Sequence, residues 1–292
     1  MAAAAELGYE VARSGRDASG GRRHLIGLVI PDVITPFYAE LLNCVQGVVF
    51  DRGCDLVLYV SQGRSPRQVI QHIASARHVS GVIVVTPRHS EDEELRKLGA
   101  DQSVVVLDHR AEGSGFPHVT VDNLRAAHRA VTHLVNRGWR KIGILTGPLS
   151  VQSAMDRLRG YRLALEEAGI DFDPSLVKKG DFMQDTGYAI VRQWIDDQPL
   201  PDALFCSNDL MAAGALQAFR EAGVDVPGKV AVMGFDDLPI ASQTSPPLTT
   251  VAQPILEMCE AAVRLLMRLV QGDEPDTHRV VLDADLVIRT SA

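Results

Sequence analysis

Short apolar runs alternate with segments of helical periodicity along almost the whole chain, and this alternation leaves few architectures open. Strands are predicted at Leu25–Ile30, Cys54–Val60, Gly81–Val85, Ser103–Leu107, Val119–Val121, Lys141–Thr146, Leu204–Cys206 and Val230–Phe235. Helices are predicted between them at Phe37–Arg52, Pro66–Arg77, Leu124–Arg137, Met155–Ala168, Thr186–Asp196, Leu210–Ala222 and Glu257–Val270. A strand that is apolar on both faces must be covered on both faces, and amphipathic helices between such strands supply that cover. The fold class is therefore α/β with parallel sheets. At 292 residues the chain accommodates two subdomains.

Two βαβ series are apparent. Arg137-Gly138-Trp139-Arg140-Lys141 leads into a fresh strand and marks a crossover, and Ser245-Pro246-Pro247 breaks regular structure before Leu248-Thr249-Thr250-Val251. A late helix and a final strand at Val280–Ile288 need a place in one of the sheets. In such sheets ligands bind beyond the carboxyl ends of the strands.

Polar and aromatic residues gather at those ends. Pro31-Asp32-Val33-Ile34-Thr35-Pro36-Phe37-Tyr38 follows the first strand, with Thr35 as the expected N-cap and Pro36 at the first helical position. Phe37 and Tyr38 then stand at the mouth of the first subdomain. Asp122 ends one strand, Asn208 and Asp236 end two others, and Arg157 lies early in a helix after the Gly147-Pro148-Leu149-Ser150 break. Carboxylates accept from two hydroxyls at once and a guanidinium presents several N–H groups in one plane, so these four side chains together suit a polyhydroxylated ligand. An aromatic face beside them would cover the apolar face of a sugar or stack on a base. Taken singly, each is as well read as a helix cap or salt-bridge partner.

Other classes lack their signatures. The sequence contains no GxSxG, HExxH, GxxxxGKS or GxGxxG, and His128 and His133 miss the i,i+4 spacing of a zinc pair. His109 has no nucleophile in view, so no enzyme, metal or cofactor is expected. Net charge of −8 disfavours a strong nucleic-acid binder, since phosphate neutralisation needs clustered Lys and Arg. Cys44, Cys54, Cys206 and Cys259 show no CxxC spacing and read as buried, reduced thiols of a cytoplasmic protein. No secretory leader and no membrane span are visible. Residues Ala2–Tyr9 read as the last turns of a helix stopped by Gly8, too short to stand alone, and its packing partners are expected upstream.

Taken in order, these stretches resemble the motifs of the LacI/GalR family of bacterial transcriptional regulators. The resemblance rests on Ile26-Gly27-Leu28-Val29-Ile30-Pro31, Pro36-Phe37, Val119-Thr120-Val121-Asp122-Asn123, His133-Leu134 and Gly138-Trp139-Arg140-Lys141-Ile142. It continues through Gly147-Pro148-Leu149-Ser150, Arg157-Leu158-Arg159-Gly160-Tyr161, Cys206-Ser207-Asn208-Asp209-Leu210-Met211-Ala212, Gly234-Phe235-Asp236-Asp237 and Pro247-Leu248-Thr249-Thr250-Val251 with Gln253-Pro254. It implies two Rossmann-like subdomains of the periplasmic-binding-protein-like type I, joined by three crossover segments, with an effector in the cleft. The chain then divides into a remnant of the DNA-binding headpiece and hinge linker over 1–24, an N-terminal effector-binding subdomain over 25–136 and 253–282, and a C-terminal one over 137–252 and 283–292.

Carried over residue by residue, the family's effector contacts fall on Phe37, Tyr38, Asp122, Ser153, Arg157, Phe182, Asn208 and Asp236, with Gln253 at a crossing. Arg157 and Asp236 would grip the ligand from opposite sides. Val151 stands where purine-sensing relatives carry arginine, which favours a sugar over a purine. The resemblance further implies a homodimer without membrane attachment, and operator DNA contacted only through a complete headpiece. The linker departs from the family at Gly15, which follows Ala12-Arg13-Ser14 where a leucine is usual. The expected function is the ligand-sensing and dimerisation core of a transcriptional regulator, coupling sugar binding allosterically to operator binding. The alternatives are a solute-binding protein of a sugar transport system and a purine- or nucleoside-sensing regulator.

Overall fold

The computed structural model describes residues 24–75, 79–86, 93, 95, 103–109, 115–197 and 199–292. The expected headpiece remnant, the linker with Gly15 and the end of the second predicted helix at Arg77 lie outside the described residues.

The first sheet is built from β1 (Leu25–Ile30), β2 (Asp55–Val60), β3 (Gly81–Val85), β4 (Val104–Leu107), β5 (His118–Val121) and β11 (Arg279–Leu282), in the order β11-β5-β4-β3-β1-β2. All its pairings are parallel. The second sheet is also parallel and holds β6 (Ile142–Thr146), β7 (Val177–Lys179), β8 (Ala203–Cys206) and β9 (Ala231–Met233), in the order β7-β6-β8-β9. A short antiparallel pair joins β10 (Thr250–Ala252) to β12 (Asp285–Val287).

Alternation along the strands explains the layering. Ile26, Leu28 and Ile30 of β1 enter one buried cluster, whereas Val29 enters another with Val69, Ile70 and Ile73 on the far side of the sheet. Val69, Ile70 and Ile73 belong to the helix Pro66–Ser75, α2; the opposite face is covered by α1 (Pro36–Asp51) and α8 (Ile255–Gln271). In the second unit, α4 (Gln152–Glu167) lies on one face, α5 (Gln184–Asp197) and α6 (Asp209–Glu221) supply Val191, Trp194, Leu216 and Phe219 to the other, and the short α7 (Pro239–Gln243) follows β9.

Two local expectations are corrected, and one strand is added. The helix α3 (Asn123–Asn136), assigned to the first subdomain by a boundary at 136, packs instead on α4 and touches β8, β10 and β12. The close approach depends on Gly160, where an added Cβ would stand 2.2 Å from the Leu124 carbonyl oxygen. The predicted strand Val280–Ile288 is two strands in different sheets, parted at Asp283-Ala284, because the chain crosses between the units there. β7 was not anticipated: it is a three-residue edge strand, Val-Lys-Lys, with no apolar run to announce it.

Candidate functional site

Between the carboxyl ends of the two sheets lies a narrow cleft, partly open to solvent. The first unit contributes Thr35, Phe37, Tyr38, Thr86 and Asp108, and the second contributes Val151, Ser153, Arg157, Phe182, Asn208, Asp236 and Gln253. Most lie just beyond a strand's carboxyl end, in a first helical turn or at a crossing, and Arg157 reaches in from the second turn of the helix Gln152–Glu167.

The first lip is organised by Asp32. Its Oδ1 accepts from the backbone N–H groups of Ile34 (2.9 Å) and Thr35 (2.8 Å), and its Oδ2 accepts from the Thr35 hydroxyl at 3.2 Å. Thr35 is the N-cap residue of α1, as the sequence suggests, yet its side chain does not cap the helix. The turn delivers Phe37 and Tyr38 to the cleft, their rings 5.7 Å apart. Burial, reinforced by the Asp108 carboxylate, raises the pKa of the Tyr38 phenol.

Arg157 is the centre of the second wall. It is almost fully buried, its Nε donates to Asn123 Oδ1 at 2.8 Å, and its Nη1 donates to the Ser207 carbonyl at 2.5 Å. Its guanidinium carbon stands 3.7 Å over the Phe235 ring, a cation–π contact in a desolvated setting. Asp236 lies 3.6 Å from Nη1, and its Oδ1 accepts from Gln253 Nε2 at 2.7 Å. Arg157 and Asp236 therefore pair within one wall of the cleft instead of reaching the ligand from opposite sides. Asp236 has φ of 119° and Asp237 φ of 58°, a strained stretch of the kind concentrated at ligand sites.

Phe182 is held as a platform. Its residue adopts φ of 72°, its carbonyl accepts from Asn208 Nδ2 at 2.9 Å, and Asp181 Oδ1 accepts from the following N–H of Met183 at 2.9 Å. The ring occupies the space a side chain at 147 would fill, since a Cβ on Gly147 would stand 2.0 Å from Phe182 Cζ. Asn208 meanwhile caps α6, its Oδ1 accepting from Met211 N at 3.0 Å, so both ends of its amide are engaged.

The structure thus brings Phe37, Tyr38, Ser153, Arg157, Phe182, Asn208, Asp236 and Gln253 together in one cleft. Asp122 is not among the cleft residues. It is the N-cap of α3 and accepts from Arg125 N at 3.1 Å, the structural role that a carboxylate before a helix also suits. The carboxylate facing the cleft from the first unit is Asp108, together with Thr86, and neither was singled out from the sequence as a contact. Both directly follow strands, β3 and β4, and both have positive φ (43° and 58°), so the strand-end rule was the available signal.

Electrostatically the cleft is under-neutralised. Burial raises the Asp108 carboxyl despite Arg157 and the Thr86 hydrogen bond at 2.8 Å, and it raises Asp236 to about 7 despite Arg157 and Gln253. Asp209, behind the wall and bonded to Thr250 Oγ1 (2.5 Å) and Leu238 N (2.8 Å), is raised well above the usual carboxylate range for the same reason. Asp108 Oδ1 and Gln253 Oε1 are buried acceptors without a partner among the described residues. A buried acceptor left unbonded is costly, so the cleft calls for a ligand bearing donors. Among the described residues no group of His, Cys, Asp and Glu could hold a metal ion, and no helix is long and apolar enough to cross a membrane.

Two parallel α/β units with a polar cleft at their facing strand ends define a periplasmic-binding-protein-like fold. Residues 131–292 match the family described as periplasmic binding protein-like domain. The chain is 32% identical over 98% of its length to the HTH-type transcriptional regulator CelR of Thermobifida fusca, covering 86% of it. It is 31% identical over 99% of its length to the HTH-type transcriptional repressor CytR of Escherichia coli K12, covering 85% of that protein. The solved structure of a transcriptional regulator CelR–cellobiose complex superposes with a TM-score of 0.83 at 32% identity, covering 100% of this chain and 89% of that one. The chain belongs to the LacI/GalR family of transcriptional regulators and contains its effector-binding core.

Proposed function

We propose that this core binds a small sugar in the cleft, pairs as a homodimer in the cytoplasm, and transmits occupancy allosterically to operator DNA through a complete headpiece. The observation that carries the sugar assignment is the set of buried acceptors around Arg157. Asp108 Oδ1 and Gln253 Oε1 await donors, and Asp236 is held beside a guanidinium with little else to neutralise it. Sugar hydroxyls supply donors in this density, and Phe37, Tyr38 and Phe182 offer aromatic faces to the apolar side of a pyranose. The CelR relative solved with cellobiose supports the same class. Val151 lines the cleft without a positive charge, which favours a sugar over a purine.

Proposed contacts are Phe37, Tyr38, Ser153, Arg157, Phe182, Asn208, Asp236 and Gln253, joined by Asp108 and Thr86. A ligand touching both walls would favour one angle between the units, and a two-fold dimer would convert that angle into headpiece spacing. Calorimetry against cellobiose, other mono- and disaccharides, and nucleosides is the test. Saturable binding of a sugar that is lost in Arg157→Ala is expected. Binding of nucleosides alone, or sugar binding unchanged in that variant, overturns the reading.

A further inference from the structure

The seam between α1 and α8 carries two cysteines that face each other. Cys44, on α1, is half-buried, and its Sγ points to the Ile255 carbonyl of α8 at 3.8 Å. Cys259, on α8 and fully buried, points its Sγ back to the Leu41 carbonyl of α1 at 4.0 Å. Each thiol therefore lies against the other helix's backbone, one turn from the other cysteine.

We propose that Cys44 and Cys259 form a reversible, peroxide-driven disulfide that clamps α1 to α8. The two sulfurs are unequal, which sets the order of events. Full burial among apolar side chains holds the Cys259 thiol protonated, whereas Cys44 is only half-buried and is penalised less on ionising. Cys44 is also the one with access to solvent, and a thiolate with access is the reactive form. Its sulfur attacks the peroxide; an S–O bond forms, the O–O bond breaks, and the leaving oxygen takes a proton to become water or an alcohol. Cys44 is then a sulfenic acid. The Cys259 sulfur attacks that sulfur; the S–S bond forms, the S–O bond breaks, and hydroxide leaves with the Cys259 proton as water. The two thiols lose two electrons in total and the peroxide gains them. A thiol reductant reverses the step by exchange.

The position gives the bond leverage. α1 begins at the cleft lip with Phe37 and Tyr38 in its first turn, and α8 begins directly after Gln253 and Pro254 at a crossing between the units. Cys54, by contrast, lies beyond the far end of α1 with its Sγ 3.9 Å from Met267 Sδ, and Cys206 is buried in the second sheet.

The test is a titration of the reduced chain with hydrogen peroxide, followed by thiol counting, intact mass and peptide mapping. The expected result is a fall from four free thiols to two, a mass lower by about 2 Da, and one Cys44–Cys259 cross-link that a thiol reductant removes. The Cys54→Ser variant should behave as wild type. The Cys259→Ser variant should stop at a Cys44 sulfenic acid that dimedone traps. Four thiols retained, a cross-link mapping to Cys54 or between chains, or Cys44 driven to sulfinic acid in the wild type without the disulfide, overturns the proposal. The wild-type map decides the matter even if a variant folds poorly, and none of these readouts depends on the sugar assignment.

Discussion

Arg157 and Asp236 stand 3.6 Å apart with side-chain exposures of only 4% and 5%, and they form the one buried ion pair in the cleft wall among the described residues. Taking two such charges out of water is repaid only when the remaining donors and acceptors are satisfied. Here the guanidinium has Asn123, the Ser207 carbonyl and the Phe235 face, and the carboxylate has Gln253. The pair also ties three segments together, since Asn123 opens α3, Arg157 lies in α4 and Asp236 follows β9. The site and the stability of the second unit thus share one residue.

Removing the guanidinium should cost more than a surface charge would. Arg157→Ala leaves Asp236 and Asp108 buried without their counter-charge and deprives Asn123 Oδ1 of its donor. A loss of about 3–5 kcal/mol in unfolding free energy is expected, the usual cost of breaking a buried pair from one side. Urea titration at pH 7 measures it. A change below about 1 kcal/mol would show that the pair is not structurally important.

Much of this arrangement is legible from the residues alone, because hydrophobic alternation is a local signal. The bounds of β1 coincide with the predicted strand Leu25–Ile30, and α6 and α8 lie within a few residues of their predicted spans. The strand-end rule places Arg157, Asn208 and Asp236 near one another, and Phe182 and Gln253 come with the family resemblance. Non-local facts were not legible. The amphipathic pattern of α3 states that one face is buried but not against which sheet. Asp122 and Asp108 both end strands, and only the three-dimensional arrangement sends one to a helix cap and the other to the cleft. The short β7 has too few apolar residues for any periodicity.

Two helical glycines should respond to alanine with opposite signs. Gly160 in α4 has the Leu124 carbonyl oxygen 2.2 Å and the His128 nitrogen 2.9 Å from where a Cβ would sit, both backbone atoms of α3 that cannot swing away. Gly160→Ala should destabilise the fold by about 1–3 kcal/mol through overpacking. Gly47 in α1 has nothing within 4 Å of the same position. Gly47→Ala should stabilise by about 0.5–1 kcal/mol, since alanine loses less conformational freedom in a helix. Thermal melts of the two variants beside wild type give the comparison, and shifts of the same sign would contradict it.

Asn208 separates helix capping from ligand binding. Its Oδ1 caps α6 and its Nδ2 fixes the carbonyl of Phe182. Serine caps helices about as well as asparagine but is too short to span to that carbonyl. Asn208→Ser should therefore keep stability near wild type while loosening the Phe182 platform. The affinity for the sugar selected by the calorimetric panel should fall about fivefold, the equivalent of one hydrogen bond of about 1 kcal/mol. Unchanged affinity would mean that the ligand does not rest on Phe182.

Effector binding should release protons near neutral pH. Burial lifts Asp236 from the ordinary 3.8 to about 7 and lifts Asp108 in the same direction, against the pull of Arg157 on both. Between about pH 4 and pH 7 the folded chain therefore binds more protons at Asp236 than the unfolded chain does. The contribution of this group to stability is greatest below the unfolded value, falls as pH rises through that window, and levels off above about 7. A sugar hydroxyl donates to the ionised carboxylate, so the occupied site prefers the form the empty site resists. Binding at pH 6 should expel up to about one proton per site, and affinity should rise with pH until it flattens just above 7. Calorimetry in phosphate and in Tris reads the release directly, because the buffer that captures the proton adds its own ionisation heat. Asp236→Asn should abolish most of the difference between buffers while leaving any contribution of Asp108. Proton uptake on binding, or heats independent of buffer at pH 6, would show that neither carboxylate is a hydroxyl acceptor for the ligand.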